Sequence, residues 1–217
     1  MRMRKKKNGA ARLAACAELF CQINEEPRTD SASDFGREAE CRLEIGCGKG
    51  GFICALAERE PNVNFYALER VNDVVLLAAE RAMAASEKRP SNNLRFFLAG
   101  ADDLPRIFAP GTLDVIYLNF SDPWPKKGHA KRRLTYRRYL EIYFSLLRAG
   151  GQLRLKTDNV GLFDFTLEEL DSLGLSPEFV TRDLHNTPEA ADNIMTEYER
   201  HFSEQGVPIC SLWITKK

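Results

Sequence analysis

Short apolar runs alternate with amphipathic stretches along this chain, and the alternation predicts strands and helices in turn. Cys41–Ile45, Asn64–Leu68, Asn93–Leu98, Leu113–Leu118, Gln152–Lys156, Glu178–Asp183 and Pro208–Ile214 read as strands. Helices are expected over Phe52–Arg59, from Asn72 or Asp73 to about Ser86, over Leu134–Leu147 and Leu162–Leu173, and from Thr196 toward Gln205, with a short helical turn near Asp102–Phe108. Gly150 and Gly151 are expected to close the Leu134–Leu147 helix. The alternation predicts an α/β, doubly wound, mostly parallel seven-stranded sheet covered on both faces. A long loop and a short helix separate the last two strands, so the final pairing is expected to be antiparallel. Upstream, residues 10–24 carry helical spacing with Leu13, Cys16, Ala17 and Phe20 on one face, and residues 25–40 are polar and read as a loop or linker. Residues 1–9 are expected to be disordered. The chain therefore divides into a basic extension, 1–40, and a domain, 41–217.

Composition changes this picture in one respect. The 44% apolar content is ample for a core, and no run approaches the length of a membrane span. The basic N-terminus has a short apolar part broken by Arg12 and Glu18, which argues against a signal peptide. Six cysteines form no CxxC pair and three histidines are scattered, so neither a metal site nor a disulfide framework is expected. Free thiols and no leader fit a cytoplasmic protein, monomeric or homodimeric. The formal net charge of zero hides a segregation. Residues 1–12 carry six Lys/Arg and residues 126–138 carry seven, and neither segment holds an acid, so all 31 Asp/Glu lie elsewhere. Two basic segments on an acidic body point to a polyanionic partner gripped at a defined place.

Four strand ends carry candidate chemistry. Gly46, Gly48 and Gly51 fit the dinucleotide spacing G-x-G-x-x-G, while Glu44 with Gly46, Gly48 and Gly50 fits the acidic-x-G-x-G-x-G pattern of S-adenosylmethionine enzymes. An acid two residues before the first glycine favours the second, because that cofactor carries an α-ammonium and a sulfonium and a pyrophosphate carries neither. Glu69, at the end of the second strand, is placed to accept from ribose hydroxyls in either case. Gly100-Ala101-Asp102-Asp103, after the third strand, is where adenine is expected, although Asp102 equally reads as a helix cap. After the fourth strand comes Asn119–Arg138, NFSDPWPKKGHAKRRLTYRR, with Asp122 between two small polar groups and two prolines. Pro123 and Pro125 are expected to hold Asp122 and Trp124 in extended or turn geometry. If strand one is central, Asp122 faces the methyl group of the cofactor across the switch point of the sheet.

Together, Leu43–Gly51, the 119–140 stretch, Leu155-Lys156-Thr157-Asp158-Asn159 and Asn193–Glu199 resemble the bacterial tRNA (guanine-N7-)-methyltransferase family over roughly residues 40–217. The resemblance implies a seven-stranded, Rossmann-like methyltransferase fold that uses S-adenosylmethionine and acts on a guanine in the variable loop of tRNA. It implies cofactor contacts at Glu44, Gly46, Gly48, Glu69 and Asp122, with Asp122 also catalytic. It implies substrate contacts at Lys126, Asp158, Thr196, Glu197, Tyr198 and Glu199. It implies RNA phosphate contacts along the basic run, at Lys127, Gly128, His129, Lys131, Arg132 and Arg133. Gly100 stands where that family usually has Asp or Asn, so either Asp102 substitutes or backbone groups alone hold the adenine.

Guanine N7 bears a lone pair and no proton, so transfer needs positioning and electrostatics rather than a general base. Asp122 is expected to stabilise the charge arriving on the ring, and Asp158 or Glu199 to read N1–H and the 2-amino group. Three rivals remain at this point: a base-amino methyltransferase, a nicotinamide oxidoreductase built on the glycine turn, and an RNA-binding module that retains cofactor without turnover. The separated prolines of Asp-Pro-Trp-Pro count against the first.

Overall fold

The computed structural model describes residues 6–86 and 92–217. Its elements, in chain order, are α1 (Gly9–Ala15), α2 (Ala32–Phe35), β1 (Cys41–Ile45), α3 (Gly51–Arg59), β2 (Asn64–Glu69), α4 (Asn72–Ser86), β3 (Leu94–Leu98), α5 (Leu104–Ile107), β4 (Leu113–Asn119), α6 (Arg137–Leu146), β5 (Leu147–Thr157), α7 (Val160–Ser172), β6 (Phe179–Thr181), α8 (Glu197–Ser203) and β7 (Cys210–Thr215). The seven strands form one sheet in the order β3-β2-β1-β4-β5-β7-β6. β1 through β5 pair in parallel, and β7 runs antiparallel to both β5 and β6, as expected.

Strand residues alternate between two cores. Leu43, Ile45, Tyr66, Leu68 and Ile116 pack under α6 and α7, while Phe65, Ala67, Val115 and Tyr117 pack under α3 and α4. Burial on both faces is why these strands read as near-continuous apolar runs. The strand order reverses between β1 and β4, whose ends are in register at Ile45 and Leu118. The loops after these strands therefore emerge side by side, which is where open α/β sheets bind ligands.

Three local expectations differ from the structure. The helix expected over 10–24 ends at Ala15, followed by a 3-10 turn, Ala17–Leu19, and then extended chain. Phe20 bridges Phe96 in parallel and the Cys21 N–H donates to the Phe96 carbonyl, so this segment covers the outer edge of β3. Residues 25–40 are polar in composition but partly buried. Arg28 is 6% exposed and pairs with Asp34, which also accepts from the Tyr66 hydroxyl, while Asn64 donates to Ser31. Gly150 and Gly151 do not close a helix; they lie inside β5. A Cβ on Gly151 would sit 3.0 Å from the carbonyl oxygens of Arg148 and Asp114, so the strand needs glycine for this close approach. The disorder expected for residues 1–9 falls in part on 1–5, outside the described residues; the Lys6 N–H donates to Asp73 of α4, and Arg12, in the last turn of α1, pairs with Glu80 of the same helix.

Among the described residues no helix is long and apolar enough to cross a membrane, and no cluster of three His/Cys/Asp/Glu suited to a metal ion occurs. The six cysteines are free, and all but Cys21 are buried.

Candidate functional site

Glu44 points from the end of β1 into the switch point and is 2% exposed. Its Oε1 accepts from the Asn119 amide at 2.9 Å, across the β1–β4 gap, while Oε2 is buried without a partner. Burial, reinforced by Glu69 and offset by Asn119, Lys156 and the Ile53 N–H, pushes the Glu44 carboxyl up to about 7. A buried, half-satisfied carboxylate of this kind calls for a cationic partner. The glycine turn follows directly. Gly46, Gly48 and Gly50 take φ of 76°, 58° and 73°, the left-handed region open to glycine, and the turn delivers the chain into α3.

The turn is fastened to the end of β2. The N–H groups of Gly46 and Cys47 both donate to the Leu68 carbonyl, and that of Gly48 donates to Glu69 Oε2 at 3.2 Å. Glu69 Oε1 accepts from Val71 N–H at 2.9 Å. Glu44, the glycine turn and Glu69 thus form one continuous rim. Gly100 continues it after β3, its N–H donating to Asp103. Asp102 faces elsewhere: its carboxylate takes Arg138 at 2.8 Å and the Tyr139 hydroxyl at 3.1 Å, both from α6.

Beyond β4, Phe120 N–H donates to the Lys156 carbonyl, prolonging the pairing with β5. Asp122 then projects into solvent, its side chain 73% exposed, with Arg70 at 3.9 Å. Of the extended or turn geometry expected for Trp124, the extended form is excluded, its φ being 42°. Arg133 lies beneath it, donating from Nε to the Pro123 carbonyl at 2.9 Å and from Nη2 to the Trp124 carbonyl at 3.1 Å. The Trp124 ring meets the Arg132 guanidinium at 5.0 Å and His129 edge-on at 5.7 Å.

The basic run splits in two. Lys126, Lys127, Gly128, Lys131 and Arg132 are exposed along a 3-10 turn, Lys127–Arg132, in which His129 is half-buried. Arg133, Arg137 and Arg138 are engaged internally, Arg137 with the buried Glu169 at 3.1 Å. No sequence pattern separates these arginines, because their partners lie in other elements.

On the far side, Lys156 at the end of β5 is 8% exposed, and its Nζ donates to Asn193 Oδ1, the Ile194 carbonyl and Glu199 Oε2. Glu199 is fully buried and also takes His185 and Asn193. Burial opposes its ionisation, yet Lys156, His185 and Asn193 together hold its carboxyl below the usual range. Thr196 and Glu199 form a reciprocal capping box at the start of α8. Both side chains are therefore taken up within the fold and present no surface to a base. Glu197 and Tyr198 are the exposed members of the same turn: Glu197 pairs with Arg81 of α4 and lies 3.8 Å from Lys49 of the glycine turn, and Tyr198 is 66% exposed. Asp158 is half-buried just beyond β5.

A cavity of about 330 Å³ lies beside this edge, between α3 and the 184–194 segment, with Phe52, Tyr117, Asn119, Lys156 and Trp213 in its lining. Gly46–Gly51 do not line it, so it adjoins the strand-end site without being it. Sequence reasoning missed Asn119 as the partner of Glu44 and Lys156 as the anchor of α8. An amide closing β4 and a lysine closing β5, each within a polar strand end, were the available signals.

A family model described as a methyltransferase matches residues 38–212. A tRNA (guanine-N(7)-)-methyltransferase of Limosilactobacillus reuteri is 41% identical over 212 residues, 98% of each chain. One of Brevibacillus brevis is 48% identical over 172 residues, 79% of this chain and 78% of that one. Among solved structures, the 16S rRNA methyltransferase KamB superposes with a TM-score of 0.60 at 13% identity, covering 100% of this chain and 96% of that one, which shows the shared fold. The chain belongs to the tRNA (guanine-N(7)-)-methyltransferase family.

Proposed function

We propose that this protein transfers a methyl group from S-adenosylmethionine to N7 of a guanine in the variable loop of tRNA, in the cytoplasm. The observation that carries the cofactor assignment is Glu44 Oε2, buried and unpartnered at the end of β1. An α-ammonium placed there satisfies it, whereas a dinucleotide pyrophosphate would add a second anion to a carboxyl already reluctant to ionise. The Gly46 and Gly48 turn lets the backbone approach a ligand closely, and Glu69 keeps lone pairs free for two ribose hydroxyls. Asp102 is held by α6, which favours recognition of adenine by the backbone at Gly100 and Ala101, without a side-chain acceptor.

S-adenosylmethionine, when bound, supplies a methyl group on positively charged sulfur. The protein's part is alignment and charge. N7 needs no proton removed, so no base is required, and Asp122 acts by stabilising the positive charge that builds on the guanine ring. Substrate contact falls on Lys126, Asp158, Glu197 and Tyr198, with Asp158 accepting from N1–H and the 2-amino group. Thr196 and Glu199 hold the turn that presents their neighbours. Lys127, Gly128, His129, Lys131 and Arg132 run along the phosphates, and a target base inside the folded tRNA core must first be exposed.

The test is transfer of labelled methyl from S-adenosylmethionine to unmodified tRNA, followed by borohydride–aniline cleavage. Cleavage at a labelled variable-loop guanine is the expected result. Label on an exocyclic amine, or none with any tRNA, overturns the proposal.

A further inference from the structure

Arg133 sits among residues that face solvent, yet it does not share their environment. Lys131 and Arg132 are exposed, while Arg133 is half-buried and turned back under the loop that carries Asp122. Its Nε–H and Nη2–H donate to the successive carbonyls of Pro123 and Trp124 at 2.9 and 3.1 Å. The guanidinium face lies over the Phe165 ring of α7, 4.3 Å from its centroid.

The loop needs such a partner. Pro123 and Pro125 have no N–H, and Trp124 between them is held at φ 42°, a conformation that a residue with a bulky side chain sustains only when its surroundings impose it. We infer that Arg133 is a positioning residue that clamps the Asp122 loop, and not a phosphate contact. This rests on the reading of that loop as the reaction site. Asp122 immediately precedes Pro123, so fixing the Pro123 carbonyl fixes where the Asp122 carboxylate projects. A planar fork that donates twice while stacking on a ring is a property of arginine; the ammonium of lysine is a point charge without it.

That difference sets the experiment. Arg133→Lys and Arg133→Ala are compared with wild type in single-turnover methyl transfer at saturating tRNA and cofactor, and in tRNA binding over a range of salt. Lys131→Ala serves as the phosphate-contact comparator in the binding series. The clamp predicts that both Arg133 variants lose about 100-fold in transfer rate while tRNA affinity and its salt slope stay at wild type. Lys131→Ala, by contrast, lowers the slope by about one. Arg133→Lys at the wild-type rate, or Arg133→Ala losing a unit of slope at an unchanged saturating rate, overturns the inference.

Asp122→Ala in the same assay separates the two readings: if it transfers methyl at the wild-type rate, the loop is not the reaction site. The emission of Trp124 in a Trp213→Phe background then decides the clamp alone. A changed spectrum on Arg133→Ala supports it and an unchanged spectrum overturns it.

Discussion

Lys156 and Glu199 form a buried ion pair, Nζ to Oε2 at 2.6 Å, that ties the end of β5 to the first turn of α8. Neither side chain reaches solvent to any extent, their exposures being 9% and 0%. Removing one partner strands the other charge, so Glu199→Ala and Lys156→Ala are each expected to cost about 3–5 kcal/mol. Equilibrium denaturation checks this. The double variant Lys156→Met/Glu199→Leu recovers much of the loss, because no lone charge is then left inside.

Glu44 predicts a pH dependence. Its carboxyl lies at about 7 when folded, above the ordinary 4.5, with burial as the main cause. A raised carboxyl contributes stability that is full below the ordinary value and is lost as pH rises through about 7. For so deeply buried a group the loss amounts to about 3 kcal/mol. Thermal unfolding of the unliganded protein should fall across that window, and Glu44→Gln should flatten it. Binding of a cationic cofactor group at Oε2 ionises Glu44, so calorimetry near neutral pH should detect proton release in wild type and none from this site in Glu44→Gln.

The segment before β1 is part of the fold's stability. Arg28 and Asp34 pair at 3% and 15% side-chain exposure, and Asp34 also accepts from Tyr66 of β2. Asp34→Ala is expected to destabilise by about 3 kcal/mol, measured by denaturant midpoint. Removal of residues 1–36 is expected to leave a chain that does not unfold cooperatively, since it also uncovers the edge of β3.

What the chain revealed in advance follows from burial. Leu113–Leu118 and Phe65–Leu68 are covered on both faces, so their apolar runs announced strands, and the glycine turn announced the crossing at the switch point. Arg28, Ser31 and Asp34 gave no such signal, because polar residues become interior only through partners such as Tyr66 and Asn64 that lie far along the chain. Gly150 and Gly151 read as a helix stop because the close approach of the β4 backbone to Gly151 is a tertiary fact. Thr196 and Glu199 were marked for substrate by the resemblance; only the folded turn shows both side chains taken up in a capping box. Arg133 is indistinguishable from Arg132 in sequence; only the loop carbonyls beneath it set it apart.

The exposed half of the basic run sets a salt dependence. Lys126, Lys127, Lys131 and Arg132 face solvent, and among the described residues none pairs with an acid. Each alanine substitution should lower the slope of log affinity for tRNA against log salt by about one. Arg137→Ala and Arg138→Ala should leave that slope unchanged, because both arginines are committed to Glu169 and Asp102. Filter binding across salt concentrations separates the two groups.

In the proposed reaction Asp122 is the group that meets charge on the guanine ring. The most direct test is the single-turnover rate of methyl transfer to guanine N7 in Asp122→Asn, with tRNA and cofactor saturating. Loss of one preorganised charge at the reacting ring is expected to slow transfer by about 100-fold or more, with tRNA affinity kept. Transfer at the wild-type rate would contradict the account.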